Sequence, residues 1–244
     1  DSGALPAWVE VPDGYGHWEV DTELPDQATY EGFSPSAFYD LGRTDAPAPV
    51  SGRYFVAVFA PVPQEGSFAL VVGYAESFTV QELVLIPFSL YNVFQWEGQE
   101  PLEILGPMLI TLLLGSLLIM YYHGRRPEPL DLQHSLFMLS GLLLTGTAAI
   151  TLYQVLASVR DSHLGPEVMI SLFLITVQGL LGAAVLRRGW KVGALTRWGR
   201  VRMTIAGLLA MFVWAGYLVG PLMVIAAALL PERLAKWPRQ NTPK

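Results

Sequence analysis

The chain has 244 residues, of which 52% are hydrophobic and 15% are charged, and it contains no cysteine. A soluble domain usually has about a quarter of its residues charged, so this composition favours a membrane protein. The lack of cysteine excludes disulfides, thiolate metal sites, iron–sulfur clusters and covalently attached c-type haem.

Charge divides the chain into two unequal parts. Residues 1–101 hold two basic and fifteen acidic side chains, a net charge of −13, whereas residues 102–244 hold thirteen basic and six acidic ones, a net charge of +7. The acidic part argues against nucleic-acid binding and fits a solvated surface, a cation or a basic partner. The sequence starts at Asp1 without a leader, from which we expect a processed signal peptide and export of residues 1–101.

Residues 1–75 are predicted to form an exported all-β sandwich domain. Short alternating segments at 7–11, 17–24, 37–41, 52–59 and 67–73 are separated by turn residues and show no helical period. Alternation places every second side chain of the last two segments on one face. We therefore expect the sandwich core to include Tyr54, Val56, Val58, Phe68, Leu70 and Val72.

The last two of these segments carry a family resemblance. Gly52-x-Tyr54-Phe55-Val56-x-Val58, a turn ending in Gly66, and Phe68-x-Leu70-x-Val72 resemble the closing hairpin of the bacterial pre-peptidase C-terminal domain. That family is a small extracytoplasmic β-sandwich appended to secreted and surface proteins. The resemblance implies an accessory or binding module and supplies no catalytic residue.

Residues 76–101 are predicted to form an interfacial amphipathic linker. Thr79 and Glu82 have the spacing of a capping box, which indicates the start of a helix. The stretch from Phe88 to Trp96 is apolar with interleaved polar residues, and its aromatic side chains suit the headgroup zone of a membrane.

Residues 102–230 are predicted to form an all-α transmembrane domain of four helices. The apolar runs lie at 102–122, 132–158, 168–186 and 203–230, each long enough to cross ~30 Å of hydrocarbon. A kink is expected at Gly220-Pro221 in the fourth run. Residues 231–244 then form a polar tail.

Basic residues set the expected orientation. The loops after the first and third runs are rich in Arg and Lys, whereas the loop between the second and third runs holds only Arg160. Positive loops stay in the cytoplasm, so the N-terminal domain and, after four spans, the C-terminus are expected outside a cell (inner or plasma) membrane. The third-run loop is also expected to bind anionic lipid through Arg187, Arg188, Lys191, Arg197, Arg200 and Arg202.

Histidine offers the one candidate cofactor site. The predicted architecture is similar to proteins in which an exported β-sandwich is fused to a cytochrome b561-type bundle, which implies paired histidines around b-type haem. Here His123 ends the first run and His134 opens the second, so the two could flank one haem. No run contains a histidine at its centre, which favours the alternative that both lie at a polar boundary.

Small residues mark three helix faces for close packing. Pairs separated by four residues recur in the second, third and fourth runs, and such pairs let helix backbones approach each other. These pairs are Gly141 and Thr145, Gly179 and Ala183, and Gly216 and Gly220. Gln178 and several threonines are polar groups inside the runs, and the lack of ionisable groups at the centres of the runs argues against a transporter.

The sequence contains no catalytic motif and no metal-ligand cluster. We therefore expect a non-catalytic accessory subunit that binds other integral-membrane subunits, with its exported domain docked on their outer face. The alternatives are a membrane electron carrier with one haem, and an extracytoplasmic receptor or sensor that binds a ligand.

Overall fold

The computed structural model of the chain describes residues 8–20, 22–45, 50–59, 67–73, 77–125, 131–163, 165–191 and 193–231. Three of its helices are long and apolar enough to cross a membrane, by length and composition. They confirm the first three predicted spans and a membrane protein. In chain order the elements are β1 (Ala28–Glu31), β2 (Ser36–Phe38), α1 (Val80–Trp96), α2 (Pro101–His123), α3 (Leu132–Ser158), β3 (Ser162–His163), α4 (Val168–Trp190), α5 (Arg197–Phe212) and α6 (Val219–Leu229).

Helix α3 is the centre of the bundle. In its most apolar stretch 56% of the residues are buried, against 28% in α4 and 6% in α2. Helices α2 and α4 pack against it in antiparallel orientation. The bundle therefore has two ends: a basic end, where α2 and α4 finish and α3 and α5 begin, and an acidic end, where α2 and α4 begin.

The predicted fourth span at 203–230 is wrong, because this stretch folds back on itself as a hairpin of α5 and α6. Near the start of α5, the Arg200 guanidinium donates to the carbonyls of Ala228 and Leu230 at 3.1 and 2.8 Å. Further along, Gly207 lies against Pro221 and Ile225. The two helices are antiparallel, so Leu230 leaves the bundle at the basic end, where α5 began.

The hairpin turns at residues 213–218, ahead of the predicted kink. Trp214, Tyr217 and Leu218 have φ of 53°, 50° and 59°, in the left-handed region that side chains with a Cβ rarely adopt. Each such residue costs ~1–3 kcal/mol and persists only when its surroundings hold it. Pro221 falls in the first turn of α6, where its missing N–H removes no intrahelical hydrogen bond.

The predicted β-sandwich is also wrong. Residues 50–59 and 67–73 adopt no regular secondary structure, and the side chains expected in the core are exposed. Adjacent residues such as Phe55 and Val56 are exposed alike, so alternation does not separate a buried from a solvated face. Strand propensity reflects the fit of a side chain to a half-buried pleated surface, and nothing in the described part of the chain supplies that surface here.

A three-stranded sheet in the order β2-β1-β3 takes the place of the sandwich at the acidic end. Its middle strand is fixed to the bundle by a buried chain of hydrogen bonds. The Tyr30 hydroxyl donates to Ser171 Oγ at 2.7 Å, and Ser171 donates to the Gly32 carbonyl at 2.6 Å. Burial raises the pKa of the Tyr30 hydroxyl, so this donor stays protonated.

Helix α1 confirms the capping box predicted from Thr79 and Glu82. The Thr79 hydroxyl accepts from the Glu82 amide at 3.2 Å, and the Glu82 carboxylate accepts from the Thr79 amide at 2.7 Å. Hydrogen bonds from the Thr79 amide and hydroxyl lower the pKa of Glu82. The stabilisation by this cap is therefore fully present above the usual carboxyl pKa, and it is lost as the pH falls through the lowered pKa of Glu82. The helix continues through Pro87 to Trp96.

The remaining predictions fall partly outside the described residues. These are Ala7 of the first predicted strand, the turn at 63–66, Arg126 in the first basic loop, and the tail from residue 232 onward.

Candidate functional site

Small residues at two of the three predicted faces lie at helix contacts within the chain. A Cβ at Gly220 would lie 2.6 Å from Leu144 of α3, and one at Gly216 would lie 3.0 Å from the same side chain. On the other side of α3, Gly141 lies against Leu186 of α4. The pair Gly216 and Gly220 thus seats the α5–α6 hairpin on α3 and is not available to another subunit.

The face of α4 that meets α3 differs from the face marked by Gly179 and Ala183. No atom lies within 4 Å of a Cβ placed on Gly179, and Ala183 is exposed. The close contact is made instead by Gly182, where a Cβ would lie 2.9 Å from the backbone nitrogen of Thr145. Gly182 follows Gly179 by three residues, so both lie near the same side of α4. Residue spacing alone therefore does not show which of the two glycines contacts α3.

The turn of the hairpin is bound by side chains from the middle of α3 and α4. The backbone N–H of Gly216 donates to Thr147 Oγ1 at 2.7 Å. Gln178 Nε2 donates to the carbonyl of Val213 at 2.8 Å, and Gln178 Oε1 accepts from Thr151 at 3.3 Å. Backbone groups that a continuous helix would pair internally are thus paired by side chains.

The polar residues continue from this turn toward the acidic end. Gln154 of α3 exchanges two hydrogen bonds with Gln99, at 2.7 and 3.0 Å, in the connection between α1 and α2. Gln154 is fully buried. The sequence analysis did not predict this hydrogen-bonded pair. The available signal was the position of Gln154 in an otherwise apolar stretch, one helical turn beyond Thr151.

Helix α1 lies over the turn of the hairpin. Trp214 Nε1 donates to the Leu83 carbonyl at 3.0 Å, and the rings of Phe88 and Tyr217 meet edge-on with centroids 6.1 Å apart. These contacts hold the left-handed residues of the turn, and they place α1 above the hairpin at the acidic end.

The two histidines lie at the basic end, as expected, and both make contacts there. His134 Nδ1 is hydrogen-bonded to Asp131, and His134 Nε2 donates to the carbonyl of Lys191 at 2.8 Å. An iron ligand at His134 would have to displace one of these partners. The ring of His123 stacks on Trp190 at 5.1 Å. Among the described residues, no group of three or more His, Asp or Glu side chains could hold a metal ion.

The predicted lipid-binding arginines and lysine have two different environments. Arg188 donates to the carbonyls of Lys191 and Gly193 at 2.7 and 2.8 Å, so it closes the end of α4, and Arg200 closes the end of α6. The other four members are exposed at the basic end: Arg187, Lys191, Arg197 and Arg202.

Exposed apolar side chains outside the helices are dense in residues 50–59 and 67–73, hereafter the apolar segments. Phe59 is half-buried, and the other large apolar side chains are between 49% and 86% exposed: Val50, Tyr54, Phe55, Val56, Val58, Phe68, Leu70, Val71 and Val72. The Ser67 hydroxyl donates to the Trp96 carbonyl at 3.0 Å, which ties the second segment to the acidic end of the bundle.

Comparison of the chain with protein families, with curated proteins and with solved structures finds no match.

Proposed function

We propose that the protein is a non-catalytic subunit of a larger integral-membrane assembly, and that its apolar segments bind a partner subunit outside the cytoplasm. The observation that carries this proposal is the exposure of nine large apolar side chains in backbone without strand partners among the described residues. Apolar patches of this kind on a soluble surface mark interaction sites.

The apolar segments suit neither water nor lipid on their own. Water leaves their side chains exposed, and hydrocarbon would leave unpaired backbone N–H and C=O groups that cost several kcal/mol each. A partner that offers a free strand edge meets both requirements, because strand addition pairs the backbone and buries alternate side chains. The net charge of −13 in residues 1–101 favours a partner with a basic outer surface.

The orientation follows from the two ends of the bundle. The basic end carries Arg125, Arg187, Lys191, Arg197 and Arg202, whereas Arg160 is the one Lys or Arg residue in the described part of the connection between α3 and α4. We place the basic end in the cytoplasm and the apolar segments outside. Because the hairpin returns to the basic end, the tail after Leu230 starts in the cytoplasm, where its four basic residues agree with the other loops.

Cysteine labelling tests this orientation, since the chain has no native cysteine. In intact cells an impermeant maleimide is expected to label Ser162→Cys, and to label Thr196→Cys and Pro231→Cys only after the membrane is permeabilised. A fourth crossing helix would instead make Pro231→Cys reactive from outside together with Ser162→Cys.

Co-purification tests the partner. Wild-type protein extracted in mild detergent is expected to migrate as a complex larger than one chain, as measured by native mass spectrometry. The double variant Val56→Asp/Val71→Asp should lose at least about tenfold in association, because burying a Val side chain contributes ~1.5–3 kcal/mol and ~1.4 kcal/mol is tenfold. Its thermal stability as an isolated chain should be unchanged, since both side chains are exposed.

The matched control is Gln27→Asp/Thr44→Asp, which adds the same charge at exposed polar positions outside the apolar segments and should keep the complex. Wild-type protein that runs as a single chain would refute the assembly. A complex that survives in the valine variant would place the interface elsewhere.

A further inference from the structure

A cavity of about 50 Å³ lies where α1 covers the turn of the hairpin. Its walls come from α1, α3, α4, the turn at 213–218 and the connection between β1 and β2. A water molecule needs ~10–15 Å³ of such volume, so the cavity has room for about three waters or for one solute of a few heavy atoms.

The floor of the cavity lies near the middle of the bundle. Gln178 is ten residues from the first residue of α4 and twelve from the last. At ~1.5 Å per residue it lies ~15 Å from the acidic end and ~18 Å from the basic end. Irregular backbone at such depth is tolerated where it is buried in protein or lines a water-filled space, and residues 213–218 are such backbone.

The walls combine polar groups with aromatic rings and carry no formal charge. Four of the thirteen lining residues are polar, namely Thr147, Thr151, Gln154 and Gln178, and the other nine are aromatic or aliphatic, Phe94 and Trp214 among them. None of the described lining residues is Asp, Glu, Lys, Arg or His. An ion would lose its hydration without meeting an opposite charge, at a cost of several kcal/mol, whereas a neutral molecule can exchange hydrogen bonds with the amides and hydroxyls.

The cavity extends toward the acidic end. Gln154 in its wall is hydrogen-bonded to Gln99, which is half-buried in the connection between α1 and α2. Phe33 and Pro35, from the connection between β1 and β2, form the upper rim.

We propose that this cavity is a hydrated vestibule that admits small uncharged hydrogen-bonding molecules, water included, from the extracytoplasmic side to the turn of the hairpin. Ions are excluded from it. The proposal uses the same orientation as above but does not depend on a partner subunit.

Thiol labelling in the full-length protein tests the vestibule. Cysteine reacts as its thiolate, which forms in water and not in lipid. Neutral iodoacetamide, which has five heavy atoms, is expected to modify Thr151→Cys when it is added outside intact cells. Anionic iodoacetate and cationic 2-bromoethylamine, which are of similar size, are expected to react at least tenfold more slowly, after each rate is divided by its rate at exposed Thr44→Cys.

Two further variants make the result decisive. Leu113→Cys, on the exposed apolar face of α2, should react with none of the reagents. Leu174→Cys places the thiol on the α4 wall and replaces Thr151→Cys if that variant loses thermal stability. Folded cavity variants that are inert to all three reagents would overturn the vestibule, and equal normalised rates for neutral and charged reagents would overturn the exclusion of ions.

Discussion

Replacing Gly182 by Leu is expected to destabilise the bundle by about 3 kcal/mol, the upper end of the usual cost of overpacking. Already the Cβ would lie 2.4 Å from Thr145 Oγ1, 2.9 Å from the Thr145 backbone nitrogen and 3.1 Å from the Gly141 carbonyl oxygen. Two of these atoms belong to the backbone of α3, so the helices must separate along the most extensive contact of the bundle. Thermal unfolding of the purified protein in detergent measures the effect.

The control is Gly179→Leu, one helical turn away on the same helix. Since no atom lies within 4 Å of a Cβ there, its stability should stay within about 1 kcal/mol of wild type, with a gain favoured because Leu is the better helix former. Equal losses in the two variants would show that the rotation of α4 against α3 differs from the one described.

Removing the side chains that bind the turn of the hairpin should have the second largest effect. Thr147→Val removes the acceptor of the Gly216 N–H. Gln178→Leu removes the donor to the Val213 carbonyl. An unsatisfied buried polar group costs ~1–3 kcal/mol, so each variant should lose about that much. The double variant should deviate from additivity, because both bonds hold one turn. Proteolysis within 213–218 and thermal unfolding report the loss.

Thr176→Val is the matched control for this pair. The Thr176 hydroxyl donates to the carbonyl of Leu172 in its own helix at 2.7 Å and is exposed. Its removal should change the free energy of unfolding by no more than about 0.5 kcal/mol. If all three variants behave alike, the turn is held by packing and not by these hydrogen bonds.

The three crossing helices were predictable because lipid imposes one solution on an apolar run of about 20 residues. Only a helix pairs every backbone group within such a run, so hydropathy and length suffice at 102–122, 132–158 and 168–186. The run at 203–230 meets the same criterion and still folds back. Mean hydropathy does not distinguish an apolar run that crosses the membrane once from one that turns back on itself. The basic tail was the signal for a hairpin, because four crossings would have placed its basic residues outside.

Faces and long-range contacts were harder to predict. Gly179 and Gly182 are both plausible contact residues from spacing, and only the rotation of α4 on α3 separates them. Likewise, the alternation in Tyr54, Val56 and Val58 fits a strand, but a strand forms when another strand or sheet face receives it. In both cases the deciding neighbour lies far away along the chain or on another chain.

The short second arm of the hairpin has a consequence for biogenesis. Helix α6 has 11 residues and is ~16 Å long, about half of the hydrocarbon thickness, so it cannot settle in a bilayer as an independent span. Helix α6 packs on Ser140 and Leu144 of α3. Thr147 of α3 and Gln178 of α4 bind the turn that precedes it. The order of synthesis therefore matters: α3 and α4 must associate first, and α6 then docks on a completed protein surface.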